Sequence, residues 1–279
     1  MKFGRMLFAF LLVVLALPSA PQIAMAQDAR QALSATSVIE DIKKRGVLRV
    51  GVSTFVPWAM PDKNGELVGF EIDVAKKLAE EMGVKLESVP TSWDGMIPAL
   101  VAGKFDVVIS GMSITPNRNL TVNFTQPYAS TETVIVANKN LGGNFKALSD
   151  LDDPGVTIAN RRGATTAALA QKVWPKATHL LFDEEGQSLQ ELLNGKAHAV
   201  LASVPTPALW LEKYPDVLVV PDIPALEKTV EAFALRKGDP DALNFFNNWI
   251  LVHTVDGWLP ERHDYWFKGR AWANQVPAQ

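Results

Sequence analysis

One segment of the chain repeats another, and the repeat narrows the architecture more than any other feature. Leu100-Val-Ala-Gly103-Lys104-Phe-Asp-Val-Val-Ile-Ser110-Gly111 lines up with Leu192-Leu-Asn-Gly195-Lys196-Ala-His-Ala-Val-Leu-Ala202-Ser203. Each copy reads as a helix end, a glycine that can close the helix in the left-handed conformation, and a short apolar strand. Two copies of one unit predict two α/β lobes related by pseudo-symmetry. Ligands of open α/β sheets bind outside the carboxyl ends of the strands. Ser110-Gly111 and Ser203 are therefore expected to face each other across a cleft.

The surrounding sequence carries the same alternation. Leu48 to Val52, Lys85 to Val89 and Phe105 to Ser110 read as strands, and Phe70 to Met82 and Trp93 to Ala102 as helices between them. Ile72, Ala75, Leu78 and Ala79 keep the 3.6-residue period, with Gly83 placed to cap the first of these helices. After a loop around Leu141-Gly142-Gly143-Asn144 the pattern restarts, with strands at Val156–Ala159, His179–Phe182 and Ala199–Ala202 and helices at Thr166–Val173 and Ser188–Leu193. Strand-like runs at Thr133–Ala137 and Val230–Leu235 flank this second unit, so the chain is expected to cross between lobes twice. Lobe one is assigned to 46–135 plus 232–279, closed by helices over Ala242–Val255 and Trp258–Phe267, lobe two to 136–231, and 27–45 to a lead-in.

At the amino end, Lys2 and Arg5 precede an apolar run from Met6 to Leu17 and a small-residue stretch ending at Ala26. This is the pattern of a cleavable secretory signal over residues 1–26. The chain has no cysteine, which removes disulfides, a lipid-anchoring thiol and a cysteine nucleophile together. A freely diffusing periplasmic monomer is expected. A net charge of -3 with 20% charged residues offers no basic surface for nucleic acid.

Enzyme templates are poorly served. His179, His198, His253 and His263 stand at no metal-ligand spacing, and neither a P-loop nor a G-x-S-x-G turn occurs, so no cofactor, metal or catalytic set is assigned. Glu71 and Asp73 open a helix, where carboxylates favour the dipole.

Several motifs together resemble the polar amino-acid type, family 3, of ABC-transporter solute-binding proteins. They are Asn64-Gly65-Glu66-Leu67-Val68-Gly69-Phe70-Glu71-Ile72-Asp73, Ile97-Pro-Ala-Leu100 with Gly103-Lys-Phe-Asp106, and Ser113-Ile-Thr-Pro-Asn-Arg118 with Phe124-Thr-Gln-Pro-Tyr128. The resemblance implies the two-lobed type II periplasmic-binding fold, with two crossing strands as a hinge. It implies that Arg118 grips a ligand carboxylate, helped by backbone N–H groups near Ser113 and at Gly163-Ala164-Thr165, and that an inner-membrane permease and ATPase are the partners. A guanidinium matches two carboxylate oxygens in any such site, and Thr165 opens a predicted helix whose dipole favours an anion or simply needs a cap. Phe55, Trp58 and Trp93 suit aromatic walls for a ligand or core positions, and Met112, like Met96, is open between the same two roles.

The sequence departs from the family where an aspartate usually meets the ligand ammonium, since Ser203 and Thr54 stand there. A hydroxyl accepts a hydrogen bond but cannot neutralise a cation. Arg161 and Arg162 precede the carboxylate-binding turn, where either one could bring a second positive charge into the cleft, and Arg162 is placed among the candidate site residues. An amino acid or a related organic acid is the expected ligand. The chain is also similar to the cyclohexadienyl dehydratase branch in Pro90-Thr-Ser-Trp93 and Asp153-Pro-Gly-Val156, but Thr206 falls where that branch places an acidic catalyst. A non-enzymatic, free-standing binder that closes about its hinge is the primary expectation. A dehydratase-like lyase and a sensory binding module are the alternatives.

Overall fold

The computed structural model describes residues 37–277; the expected signal at 1–26 lies outside them. Lobe one opens with helix α1 (Val38–Arg45), which is capped by the Ser37 side chain and closed by Gly46 at φ 70°. Strand β1 (Val47–Val52) follows, then a small hairpin of β2 (Met60–Pro61) and β3 (Leu67–Val68). Next come α2 (Phe70–Glu81), β4 (Lys85–Pro90), α3 (Met96–Val101), β5 (Val107–Val108), the single turn α4 (Pro116–Asn119) and β6 (Asn123–Phe124). The long strand β7 (Ala129–Asn138) leads into lobe two. There α5 (Lys139–Gly142), β8 (Thr157–Arg161), α6 (Thr165–Val173), β9 (Thr178–Phe182), α7 (Glu185–Leu193), β10 (Ala199–Ser203), α8 (Thr206–Lys213) and β11 (Leu218–Val219) follow in order. Strand β12 (Glu227–Glu231) leads back to β13 (Ala234–Leu235), α9 (Pro240–Val255) and α10 (Trp258–His263) in lobe one.

The lobe-one sheet runs β4-β1-β5-β13-β6, and that of lobe two β11-β7-β10-β8-β9 with β12 on β7. The central strands of lobe two are apolar on both faces. Along them, neighbours point to opposite faces, so Ile135, Ile158 and Leu201 pack with Trp174 on one side. Val136, Ala159 and Val200 pack with Leu192 on the other. In lobe one, Leu48, Val50 and Val52 meet Phe70, Phe246, Trp249 and Trp266 in a single core, which is how the C-terminal helices are held.

The repeat is present in both lobes. After α3, Gly103 at φ 72° donates to the Leu100 carbonyl and Lys104 to that of Ala99; after α7, Gly195 at φ 68° donates to Leu192 and Lys196 to Glu191. The left-handed glycine closes each helix and aims the chain into its strand.

The boundaries differ from those read in sequence. Strand β7 pairs within the second sheet from Ala129 onward, Glu231 lying opposite Ala129 and Glu227 opposite Thr133, so the division at 135 falls inside a strand. Its first half, Ala129-Ser-Thr-Glu-Thr133, is polar and alternates exposed with buried side chains against β12, so it carries a weaker apolar signal than Ile135-Val-Ala137. The run Val230–Leu235 divides between two sheets, β12 in one and β13 in the other. Residues 38–45 of the expected lead-in form α1, whose Val38 and Ile42 belong to the lobe-one core.

Candidate ligand cleft

Lobe one brings Ser53 and Phe55 from the end of β1, Trp93 from the loop before α3, Ser110 to Ser113 from the end of β5, and Arg118 from α4. Thr115 caps that turn, its hydroxyl accepting from the Arg118 N–H at 3.1 Å, and Pro116 occupies its first position. Arg118 is thereby aimed across the crevice. One guanidinium nitrogen donates to the Ser113 carbonyl at 2.9 Å in lobe one, and another to the Gly163 carbonyl at 3.0 Å in lobe two. Trp93 Nε1 donates to the same Gly163 carbonyl at 3.1 Å. Gly163 sits at φ 72°, and a Cβ there would come within 3.3 Å of the Asp94 backbone, so the close approach of the lobes needs glycine.

From lobe two, β8 delivers Asn160 and Arg161, the start of α6 delivers Ala164, Thr165 and Thr166, and β10 ends at Ser203. These residues, with Phe55, Trp93, Gly111, Ser113 and Glu185 among others, line a cavity of about 40 Å³ between the lobes. Arg161 is buried within it. Its guanidinium carbon lies 4.8 Å from the centre of the Phe55 ring and 4.2 Å from that of Trp93, and its Nη1 faces Ser53 Oγ at 3.4 Å. A second and larger interlobe groove of about 800 Å³ is walled by Thr54, Val56, Thr206, Trp210, Lys213 and Trp272 among others, and shares Phe55 and Glu185 with the first.

Two arginines stand at the cleft beside Glu184 and Glu185. Among the described residues neither Arg118 nor Arg161 forms an ion pair with a carboxylate; their hydrogen bonds go to neutral oxygens. Burial, and then the nearby charge of Arg161, pull Arg118 down to about 10. Arg161 is likewise lowered by burial, against the attraction of Glu185 and Glu184. Glu185 is raised, since burial outweighs the pull of Arg161.

The expected site residues divide into three groups. Ser113, Thr165, Phe55, Trp93, Gly111 and Ser203 line the smaller cavity, and Arg118 stands beside it over the Trp93 ring, at 5.5 Å. Trp58, Ser110 and Met112 are structural. Trp58 is buried against Phe70 and Phe267, Ser110 Oγ accepts from the Ser53 N–H at 2.8 Å, and Met112 packs with Met96 and Phe105. Arg162 contradicts the expectation. It turns outward, donating to Asp183 at 3.3 Å and to the Leu181 carbonyl at 2.9 Å, while Arg161 takes the cleft. At the end of a strand successive side chains alternate faces, so only one of two adjacent arginines can enter.

Sequence reasoning also placed Glu71 in the helix dipole alone. The structure turns it inward, where it accepts from the Gly111 N–H at 2.9 Å and from Tyr128 Oη at 2.6 Å, with burial raising its carboxyl to about 8. Glu231, in the returning hinge strand, is a further buried carboxyl. It accepts from Thr229 at 2.7 Å, Thr131 at 3.1 Å and Ser113 at 3.4 Å, and a bridge pairs its backbone with Ser113 of lobe one. Neither residue stands in a motif that reveals its inward turn. His198 Nδ1 accepts from the Thr157 N–H at 3.1 Å, a structural role.

Two α/β lobes joined by paired crossing strands, with a polar crevice at their strand ends, define a two-lobed binding protein. The chain belongs to the bacterial extracellular solute-binding proteins, family 3, whose model matches residues 48–269. It is 31% identical to ABC transporter arginine-binding protein 1 of Escherichia coli over 79% of this chain and 90% of that one. It is 27% identical to the cyclohexadienyl dehydratase of Pseudomonas aeruginosa over 84% and 87% of the two chains. Among solved structures, an ancestral amino acid-binding protein described as a precursor of cyclohexadienyl dehydratase superposes with a TM-score of 0.77 at 41% identity, covering 83% of this chain and all (100%) of that one. A solute-binding role and the type II periplasmic binding fold follow. Among the described residues no helix is long and apolar enough to cross a membrane.

Proposed function

We propose that this chain is the periplasmic binding subunit of an ABC uptake transporter, and that it captures a small carboxylate-bearing metabolite by closing its lobes. The observation that carries the reading is Arg118. Its guanidinium bridges both lobes through carbonyl oxygens and has no carboxylate partner among the described residues. A half-buried cation bonded only to neutral acceptors retains unspent attraction for an anion, and a charge-assisted, two-pronged contact contributes about 1.5–3 kcal/mol. Capture at both lobes favours the closed form, since a ligand shifts a conformational equilibrium only through contacts that differ between its states. The paired segments Ala129–Thr133 and Glu227–Glu231 supply the hinge, and Ser113, Thr165 and Ser203 supply polar contacts from either side. The closed form is what a permease and its ATPase would recognise. Thermal-shift and calorimetric titration with L-amino acids and small organic acids tests the reading. At least one carboxylate should raise the melting temperature, and Arg118→Gln should lower its affinity by about tenfold or more. Stabilisation that survives Arg118→Gln unchanged removes the anchor.

A dehydratase reading has one observation in its favour. Glu185 lines both interlobe cavities and burial raises its carboxyl, the direction a general acid needs. Against it, the hydroxyl of Thr206 is committed to the Val56 carbonyl across the lobes at 2.8 Å. Incubation with prephenate or arogenate, followed by detection of aromatic product, separates the two readings.

A further inference from the structure

The aromatic slot of the cleft holds a guanidinium that belongs to the chain itself. Phe55 and Trp93 come from lobe one, Arg161 from the last position of β8 in lobe two, and the guanidinium carbon stands within 4.8 Å and 4.2 Å of the two ring centres. Cation–π attraction is strongest where water is excluded, and Arg161 is only 7% exposed. Its Nη1 reaches Ser53 Oγ at 3.4 Å, and its Nε, buried in the same place, has no hydrogen-bond partner. An unpartnered donor on a buried cation is costly unless an acceptor is supplied. Glu185 is the acidic side chain in the cavity wall; it and Glu184 attract Arg161, but among the described residues neither forms an ion pair with it.

We infer that Arg161 is the specificity-determining residue of the cleft: its guanidinium fills the Phe55–Trp93 slot, so that cationic ligands are refused and a small diacid is selected. This rests on the carboxylate reading of Arg118 and deepens it. One acidic group of the ligand meets Arg118, and the second meets the free Nε edge of Arg161. Both guanidinia lie over the Trp93 ring, at 5.5 Å and 4.2 Å, so a compact molecule such as a four- or five-carbon dicarboxylate or acidic amino acid can serve both. Such a ligand brings two negative charges to two unpaired positive ones. An arginine or lysine side chain would meet an occupied slot and a like charge. Ser203 at the cavity wall and Thr54 in the larger groove beside it are neutral, and the family resemblance implies an aspartate there for a ligand ammonium.

The test is calorimetric titration of the mature protein with four probes, succinate, L-glutamate, L-glutamine and L-arginine. The wild type should bind succinate or glutamate at least about tenfold more tightly than glutamine, and arginine more weakly still. Arg161→Met, which keeps the bulk and removes the charge, should erase the preference for the diacid over glutamine. Arg161→Lys, which keeps the charge without the flat fork, should retain part of it. If Arg161→Met fails to fold, the ratio in Arg161→Lys decides: a ratio unchanged from wild type overturns the inference, and a reduced one supports it. Arginine binding as tightly as the diacid, or a diacid-to-glutamine ratio unmoved by Arg161→Met, overturns the inference while leaving the carboxylate reading in place, provided the binding is lost in Arg118→Gln. Silence of the wild type to succinate and glutamate overturns the inference, and silence to every carboxylate of the wider screen overturns the reading of Arg118 with it.

Discussion

At the end of the lobe-one copy of the repeated unit the chain is locked, whereas at the end of the lobe-two copy it faces the crevice. Ser110 is fully buried with its hydroxyl bound to the Ser53 N–H, and Gly111 donates to Glu71 and Tyr128. Ser203, the aligned residue in lobe two, is half-buried at the cavity wall, and the chain beyond it reaches over to lobe one through Thr206. The same helix, glycine and strand thus end in a buried half-site held by side chains in one lobe, and in a cavity-wall edge that touches the opposite lobe in the other.

The sharpest way to break this contrast is to put a side chain where the rigid end has none. Gly111 sits at φ 57°, and a Cβ would come within 2.9 Å of the Phe55 ring and 3.0 Å of Trp58. A β-branched residue at such a φ is a severe outlier. Gly111→Val is expected to cost roughly 3 kcal/mol and to lower the melting temperature by on the order of 10 °C. Differential scanning calorimetry reads this directly, and a loss below about 1 kcal/mol would mean that the lobe-one end is not locked.

The contrast is sharpened by pH. Burial holds Glu71 at about 8 in the folded protein against an ordinary 4.5. A raised folded value means that its share of stability is fully present below pH 4.5 and is lost as pH rises through 8. Each unit of such a difference is worth about 1.4 kcal/mol. Glu231, Asp73 and Glu185 are raised as well, so the wild type alone cannot isolate this group. The informative quantity is the difference from Glu71→Gln, which keeps an acceptor for Gly111 and Tyr128 but does not titrate. Melting curves from pH 5 to pH 8 should fall more steeply for the wild type. Parallel curves would show that the carboxyl is not held neutral.

These buried groups mark the limit of what the sequence reveals. The two lobes were legible because the Leu100 and Leu192 segments share a pattern that local physics reads the same way twice, and the cleft followed from their strand ends. Phe55 and Trp93, which the sequence leaves open between wall and core, line the smaller cavity with Ser113. Direction was not legible. Arg161 and Arg162 are identical in chemistry, and only the phase of β8 decides that the first is buried while the second pairs with Asp183. Glu71 at a helix start satisfies the dipole rule whether it faces water or the core, and its inward turn depends on Tyr128, distant in sequence. The hinge was half legible, because Glu227–Glu231 in β12 is polar and pairs with the polar half of β7.

The smallest expected effect falls on the lobe-two side. Thr206→Val removes the interlobe hydrogen bond to the Val56 carbonyl at little change in volume. A neutral hydrogen bond contributes about 1 kcal/mol net, so the closure equilibrium should shift about fivefold toward the open form while the melting temperature moves by only a few degrees. Small-angle scattering should show a larger radius of gyration for Thr206→Val than for the wild type. Ser203→Ala, at the cavity wall, should change global stability by less than about 0.5 kcal/mol and show itself only as weaker closure on a bound carboxylate. Were Ser203→Ala to destabilise the fold as strongly as Gly111→Val, the two strand ends would be equally locked, and closure would have to be driven from the hinge strands instead.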